Sequence, residues 1–239
     1  MLHGIDLPRI WHGNTLTKEA LYEGLWFGAP EQFDVILSNP PFGGKEGRDA
    51  QSDFAFQTKA TQILFLQHVI DTLKDGGRCG IVLDEGVLFR TNEDALLRTK
   101  RKLLEECDLW CIVSLPGGAF SGAGAGVKTN LLFFSKGKPT AKIWYYDLSD
   151  LKVGKRTPFT LDRFEDLFRL VPGREDSERS WTIEAWSSPG FSLTLRPPPC
   201  PILLPSAAPS PSSPTRMPAK PRSPRNSCST AGRSTLPAR

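Results

Sequence analysis

Short apolar runs alternate with segments of helical periodicity between residues 33 and 149, and this alternation constrains the fold more than any other feature of the sequence. The first run, Phe33–Asn39, is apolar through its centre, which is typical of a strand buried on both faces. Consecutive strands joined by a helix make right-handed crossovers and pair in parallel. The predicted elements are strands at Phe33–Asn39, 78–84, 109–116, 129–137 and 142–149, and helices at Gln57–Lys74 and Glu93–Cys107.

The connections between these elements complete the predicted sheet. Asp75-Gly76-Gly77 follows the first helix and predicts its C-cap. No helical pattern separates the strands at 109–116 and 129–137, so we expect those two strands to pair antiparallel. The run at 142–149 is predicted to be a further edge strand. The sequence therefore predicts an α/β domain with a mostly parallel sheet and one antiparallel hairpin.

Composition changes abruptly near residue 187, which divides the chain into a body at 1–186 and a tail at 187–239. The tail holds 13 of the 21 prolines, and because that density forbids helices and central strands we predict disorder there. The tail carries seven basic residues and no acidic residue, and without those seven the body has 23 basic against 26 acidic residues. The tail is either a basic segment that touches nucleic acid or a partner, or the product of a shifted reading frame of a GC-rich gene. We favour the second interpretation.

Neither a membrane span nor a signal peptide is predicted. The longest apolar runs are only a handful of residues, and the start MLHGIDLPRI lacks the charged and then apolar pattern of a signal peptide, so we expect a cytoplasmic protein. The cysteines include no C-x-x-C pair and have no histidine neighbours, which favours reduced thiols over a metal site. They are Cys79, Cys107, Cys111, Cys200 and Cys228.

The strand at Phe33–Asn39 stops on an amide, two prolines and an aromatic residue. Pro40-Pro41 prevents the strand or a helix from continuing, so Asn39 and Phe42 are expected on a short, stiff loop at the carboxyl end of a strand. Ligand-handling residues gather at such ends in α/β sheets. The Asn39 amide oxygen and the Pro40 carbonyl are two neutral acceptors beside a flat apolar ring. This set suits a planar heterocycle held by its exocyclic NH2, with Phe42 stacked on the ring.

The segment S-N-P-P-F resembles the catalytic motif of S-adenosylmethionine-dependent amino-methyltransferases, in which Asp, Asn or Ser precedes two prolines and an aromatic residue. Together with HGNTL at 12–16, FLQHVIDTLKDGGRCGIVLDEGVLF and LPGGAFSGAGAGVKTNLLFFSKG, it is similar to the modification subunit of type I restriction–modification systems over roughly residues 1–185. The resemblance implies a DNA (adenine-N6) methyltransferase that moves a methyl group from S-adenosylmethionine to a flipped adenine. Its implied catalytic residues are Asn39, Pro40, Pro41 and Phe42.

The same resemblance implies a cofactor contact and a set of partners. Asn14 stands where many relatives have Asp near the adenine ring of the cofactor, and Asn can still accept and donate hydrogen bonds. No metal is implied. DNA, a separate specificity subunit and a restriction subunit are the implied partners. The residues assigned to S-adenosylmethionine are Asn14, Thr15 and Leu16.

Two further groups of residues are expected near the substrate. Lys128, Thr129 and Asn130 open a strand; by the resemblance they lie close to the target base, and the alternative is that they are only a solvated strand start. Asp84 and Glu85 follow the second strand, where they either touch substrate or cap the next turn.

The resemblance also implies what this chain lacks. In the family a cofactor-binding half precedes the N-P-P-F motif, and the complete sheet has seven strands. No G-x-G pattern occurs before residue 122, and Gly122–Gly126 follows a strand in a loop, where it indicates a mobile segment near the substrate. We therefore expect a partial Rossmann-like methyltransferase sheet and an inactive fragment. Two alternatives are a glutamine-N5 protein methyltransferase, which also uses N-P-P, and a non-functional truncated product without a stable fold.

Overall fold

A six-stranded mixed sheet forms the centre of the computed structural model, which describes residues 14–17, 30–120, 127–154 and 156–185. The strands lie in the order β1-β2-β4-β3-β5-β6. The predicted tail at 187–239 lies outside the described residues and stays a prediction. The strands are β1 (Phe33–Ser38), β2 (Leu73–Asp84), β3 (Cys107–Ser114), β4 (Thr129–Lys136), β5 (Lys142–Asp147) and β6 (Ser180–Glu184). The helices are α1 (Arg48–Ser52), α2 (Thr61–Thr72), α3 (Glu85–Phe89), α4 (Asp94–Glu106) and α5 (Glu165–Leu170), with a short 3-10 helix at Leu161–Phe164.

The predicted hairpin is present, but the prediction of a mostly parallel sheet was wrong: β2 and β3, which a helix joins, run in the same direction but are separated by β4, and three of the five strand pairs are antiparallel. β1 pairs in parallel with β2, and β3 pairs in parallel with β5. β4 lies between β2 and β3 and runs antiparallel to both, which confirms the predicted hairpin of the two strands that flank the glycine-rich loop. Leu132 and Phe134 of β4 are fully buried, as expected for a central strand.

β5 is an interior strand, so its prediction as an edge strand was wrong. β6, which the sequence analysis did not predict, pairs antiparallel with the outer side of β5. The rings of Tyr145 and Trp181 stack there with their centroids 5.8 Å apart. β6 has only five residues, and its buried and exposed positions are mixed, so its sequence carries a weak strand signal. The position of β5 depends on this partner from a distant part of the chain.

Both ends of α2 differ from the prediction. The helix begins at Thr61 because residues 57–60 turn back toward the preceding loop, where Lys45 and Ala60 form an antiparallel bridge. It ends at Thr72, and β2 begins at once with Leu73, so Asp75-Gly76-Gly77 is not its C-cap. Those residues form a bulge opposite β1, in which Gly76 has a φ of +75° that favours glycine.

Two hydrophobic clusters lie on opposite faces of the sheet, as the alternation of side chains along a strand requires. One cluster holds Ile143 and Tyr145 of β5 together with residues of α2 and α4. The other holds Trp144 and Tyr146 together with residues of α5. The sheet is therefore covered on both faces where β3 and β5 run.

β1 is exposed, so the prediction that it is buried on both faces was wrong. Ile36 packs against the cluster that includes α2, but Val35 and Leu37 point to the other face and are 50% and 82% exposed. The described elements of that second face pack mainly against β3, β4 and β5, and β1 pairs with β2 on one side only. A continuous apolar run indicates a strand, but the burial of each face depends on what packs there.

Two expectations remain, one about the cysteines and one about membrane-spanning helices. Cys79, Cys107 and Cys111 are buried and carry free thiols, while Cys200 and Cys228 lie outside the described residues. Burial raises the pKa of each of the three described thiols to about 12, so they stay protonated at neutral pH. Among the described helices, none is long and apolar enough to cross a membrane.

Candidate active site

The predicted site residues meet at one edge of the sheet. Because β1, β2 and β3 run in the same direction, their carboxyl ends lie at the same edge. β4 runs the opposite way and starts there, with Thr129 opposite Asp84 and Asn130 opposite Ser114. Asn39 follows the end of β1 directly. The fold thus collects at this edge residues that are distant in sequence.

The N-P-P-F loop, residues 39–42, presents Asn39 to solvent and anchors itself through its neighbours. Asn39 is exposed, Pro40 is buried and Phe42 is half-buried. The ring of Phe42 lies 5.5 Å from the ring of Phe120, between centroids, and Phe120 belongs to the loop that follows β3. The two loops that leave β1 and β3 therefore contact each other through aromatic rings.

An apolar cavity adjoins Asn39 on the open face of β1 and β2. Its volume is ≈ 340 Å³, and Leu37, Gly80 and Phe133 are among the residues that line it. A side chain at Gly80 would crowd it, since a Cβ there would lie 3.1 Å from Leu37 and 3.3 Å from Phe133. Asn39 and Ser38 are the polar residues in a lining that is otherwise apolar. Such a surface accepts a flat apolar group and offers it a neutral hydrogen-bonding partner.

The two glycines after Phe42 are favoured for different reasons, Gly43 by its backbone conformation and Gly44 by close packing. Gly43 has a φ of +70°, which favours glycine. A Cβ at Gly44 would lie 2.5 Å from the Thr61 Oγ1, and that hydroxyl donates a hydrogen bond of 2.8 Å to Glu46 Oε1. The backbone N–H of Thr61 also donates to the carbonyl of Gly44. The loop that carries Asn39 is therefore fastened to the first turn of α2.

Of the three substrate residues predicted on β4, only Lys128 is open to solvent. Thr129 and Asn130 are 1% and 2% exposed. The Ser114 hydroxyl donates a hydrogen bond of 2.8 Å to Asn130 Oδ1, while Asn130 Nδ2 and Thr129 Oγ1 are buried without a partner in the described part of the chain. The Glu85 N–H donates to the carbonyl of Lys128, which ties this strand to the end of β2.

The predicted cofactor residues form a turn held against α1 and α2. The Leu16 side chain is fully buried and packs in a cluster with Ala50, Phe54 and Leu64, so only its backbone is available to a ligand. Asn14 and Thr15 are exposed, and Asn14 Oδ1 accepts a hydrogen bond from the Leu16 N–H. Because Leu64 lies in the first turn of α2, the packing of Leu16 places this turn on the side of the sheet where α2 begins.

Asp84 caps a helix, which settles one of the two roles considered for it. Asp84 Oδ1 accepts a hydrogen bond of 2.9 Å from the Val87 N–H at the start of α3. The backbone N–H of Asp84 donates to Gln62 Oε1 at 3.0 Å. Gln62 is 4% exposed and was not predicted as a site residue. The sequence does carry a signal for Gln62: a polar residue next to Thr61, at the start of a helix face that is otherwise apolar.

A buried lysine fixes the far end of α3 and was also missed. Lys100 of α4 is 1% exposed, and its ammonium group donates hydrogen bonds of 2.7 Å and 2.8 Å to the carbonyls of Leu88 and Arg90. Burial, and to a smaller extent the charge of Arg90, lowers the pKa of Lys100 to about 8. The burial of Lys100 could not be predicted from the sequence, because this residue is one lysine among many charged residues of the helix and its burial depends on where α3 ends.

Two further predictions concern the glycine-rich segment and metal binding. The glycine-rich segment at Gly122–Gly126 lies outside the described residues. Within the described ranges, no group of three or more His, Cys, Asp or Glu side chains is arranged to hold a metal ion. The described edge offers neutral amides, backbone carbonyls, aromatic rings, the exposed Lys128 and the carboxylates of Asp84 and Glu85.

Comparison with known proteins supplies a family for this arrangement. Residues 1–186 match the protein family described as N-6 DNA Methylase. The methylase subunit of the type I restriction enzyme EcoEI from Escherichia coli is 45% identical over 150 residues, which cover 62% of this chain and 29% of that protein. The StySPI methylase subunit from Salmonella potsdam is 36% identical over 193 residues, which cover 74% of this chain and 34% of that protein.

The fold is also similar to that of a chain in a solved structure of a type I R-M system. A chain from a structure of the complex assembly and conformational transition of a type I R-M system superposes with a TM-score of 0.67 at 40% sequence identity. The match covers 77% of this chain and 40% of that chain. The present chain therefore spans about a third of the length of the curated relatives it matches.

Proposed function

The chain belongs to the N-6 DNA methylase family, and from that premise we propose that it carries the catalytic loop of a DNA (adenine-N6) methyltransferase, as the modification subunit of a type I restriction–modification system. The observation that supports the proposal most directly is the exposed Asn39 at the carboxyl end of β1, beside an apolar cavity. The family match favours DNA adenine over the glutamine side chain considered as an alternative.

The substrate atom in this proposal is the exocyclic N6 of adenine, whose lone pair is delocalised into the ring. Asn39 Oδ1 and the Pro40 carbonyl would accept hydrogen bonds from the N6 amine. Acceptors placed for a tetrahedral nitrogen localise its lone pair and so stabilise the transition state more than the ground state. Both acceptors are neutral, so they accept hydrogen bonds from the N6 amine without removing its proton.

Phe42 would hold the ring of the extruded adenine by stacking, as aromatic side chains do in base-flipping enzymes. Phe42 is half-buried and contacts Phe120, so its ring is supported from the loop after β3. A supported ring loses little conformational entropy when a base stacks on it. After methyl transfer the extra N6 proton can leave to water, so no side-chain base is needed.

S-adenosylmethionine would supply the methyl group as a methylsulfonium, which is already activated for transfer. The residues at hand fit a contact with it: Asn14 and Thr15 are exposed polar side chains on a turn that the buried Leu16 anchors. Lys128 is the exposed residue of the β4 group and would approach DNA, while Thr129 and Asn130 would shape the floor near the base. DNA, the specificity subunit and the restriction subunit are the proposed partners.

Asn39→Ala in the intact enzyme that contains this sequence tests the proposal. We expect a loss of methyl transfer to DNA of 10²–10³-fold, about what removal of one transition-state hydrogen-bond group costs, with S-adenosylmethionine affinity nearly unchanged. Transfer of radiolabelled methyl groups and calorimetry measure the two quantities. Asn92→Ala is the matched control, since Asn92 is also an exposed asparagine but lies in the turn before α4. Activity of Asn39→Ala within about threefold of the wild type would contradict the assignment of this loop.

A further inference from the structure

A second cavity, with a volume of ≈ 270 Å³, lies directly behind the N-P-P-F loop. Its walls come from three parts of the chain: the segment Gly43–Lys45, the segment Thr58–Ile63 that leads into α2, and residues between Asp84 and Glu93, on and around α3. Its inner wall includes the buried residues Thr61, Ile63 and Val87. The cavity is smaller than the usual range for whole cofactors or drug-sized ligands, so it suits one small group.

The charges around this cavity favour an anion. Lys45, Lys59 and Arg90 line it and are exposed, so their charged ends can meet solvent at its mouth. Lys45 and Lys59 lie on neighbouring segments of the chain, since the Glu46 N–H donates to the carbonyl of Lys59 at 2.9 Å. Neither lysine makes a salt bridge within the described residues.

The two acidic side chains in the lining are already engaged. Asp84 Oδ1 accepts the hydrogen bond from the Val87 N–H, and Glu93 Oε1 lies 3.6 Å from Arg90 Nη1. Glu46, next to Lys45, accepts the hydrogen bond from the Thr61 hydroxyl. With Arg90 paired to Glu93, Lys45 and Lys59 face one remaining carboxylate in the lining, that of Asp84, so the lining keeps one excess positive charge.

Two features of α2 point to a ligand in the same place. The helix has twelve residues, and its N-cap, Ala60, supplies no side-chain hydrogen bond to the first turn. The positive end of a helix dipole favours an anion there. Independently, Gln62 lines the cavity while 4% exposed, and its Nε2 is a buried donor that has no acceptor in the described part of the chain. A buried amide donor without an acceptor costs free energy unless a ligand or water meets it.

We propose that this cavity binds a phosphate group of the DNA backbone close to the target adenine. The inference rests on the proposed function, because DNA is the anionic polymer that this function brings to the same edge of the sheet. Lys45 and Lys59 would neutralise the phosphate at the cavity mouth, and the start of α2 would face it. A clamp on the backbone behind the N-P-P-F loop would hold the strand while its base occupies the site at Asn39.

The double variant Lys45→Gln with Lys59→Gln tests this site in the intact enzyme. Both lysines are exposed, so we expect the variant to fold normally, as its thermal unfolding will check. DNA binding is measured by fluorescence anisotropy over a range of salt concentrations. We expect affinity to fall on the order of tenfold and the slope of log K against log salt to become less steep by about 0.9 for one phosphate contact. Lys138→Gln is the matched control, because Lys138 follows β4 at the opposite edge of the sheet.

The decisive arm uses DNA in which single phosphates near the target adenine are replaced by neutral methylphosphonates. We expect one replacement to weaken wild-type binding by about as much as the double variant does, and to weaken binding of the double variant very little. A double variant that loses affinity no more than Lys138→Gln, or that stays as sensitive to every methylphosphonate as the wild type, would overturn the site.

Methyl transfer separates the two proposals. At saturating DNA the double variant should transfer methyl groups at a rate within about twofold of the wild type, because the clamp acts on binding. A wild type that binds DNA through this cavity but transfers no methyl group would refute the proposed function and leave the phosphate site standing. A wild type that methylates DNA while the double variant binds it equally well would refute the phosphate site alone. A wild type that does not bind DNA would refute both.

Discussion

Replacing Lys100 by methionine should change how stability depends on pH. Lys100 is 1% exposed, and its pKa of about 8 lies below the ordinary value of 10.5 because of burial. Below pH 8 both the folded and the unfolded chain bind this proton, so Lys100 does not make the free energy of unfolding depend on pH there. Between about pH 8 and 10.5 the unfolded chain keeps the proton and the folded chain loses it. The free energy of unfolding of the wild type should therefore rise with pH in that window.

The size of this effect follows from the same shift. A single proton difference gives a slope of at most about 1.4 kcal/mol per pH unit, so the whole window contributes at most about 3.5 kcal/mol. In Lys100→Met this contribution disappears, and the wild-type free energy of unfolding minus that of the variant should increase from pH 7 to pH 10. Taking the difference removes the contributions of other groups that titrate there.

Urea unfolding of both proteins at intervals between pH 7 and pH 10 measures the difference by linear extrapolation. Lys102→Met is the control: it removes a lysine from the same helix, but one that pairs with Asp71 and not with the end of α3. Curves of wild type and Lys100→Met that run parallel across the window would refute the argument from burial. A difference that falls as pH rises would show that the two carbonyls stabilise the ammonium more than burial destabilises it.

Three further outcomes are expected. Phe42→Ala should weaken binding of DNA with an extruded adenine by about 1–3 kcal/mol, and equal activity on matched and mismatched targets at limiting DNA would count against stacking. Gly44→Ala should destabilise the fold by about 1–3 kcal/mol, because a Cβ would lie 2.5 Å from Thr61 Oγ1, whereas Gly47→Ala, with nothing within 4 Å, should stay within about 0.5 kcal/mol in chemical denaturation. Leu37→Lys should change the melting temperature little, since Leu37 is 82% exposed, and should slow aggregation measured by light scattering if the apolar edge strand drives self-association.

The local elements were predictable because their signals are local. α4 begins and ends within one residue of its prediction, and the N-P-P-F loop falls directly after β1 as two prolines require. The antiparallel pairing of β3 and β4 was predictable because the sequence that connects them carries no helical pattern. The family itself was readable from short motifs, because the residues that handle the amine are adjacent in sequence. These features depend on propensity, loop length and residue type.

Tertiary structure decided everything that depends on a distant neighbour. β5 is interior because β6 pairs with it, and β1 is exposed because the described elements of its open face pack elsewhere in the sheet. The contact of Phe42 with Phe120, the hydrogen bonds of the buried Lys100 to the end of α3, and the hydrogen bond from the Asp84 N–H to Gln62 each join separate segments of the chain. A side chain carries no mark of the residue it will meet, since burial and hydrogen bonding arise only when the sheet brings separate segments together. The sequence alone therefore determined which groups this protein can offer a substrate, and the packing of the sheet decided which of them face it.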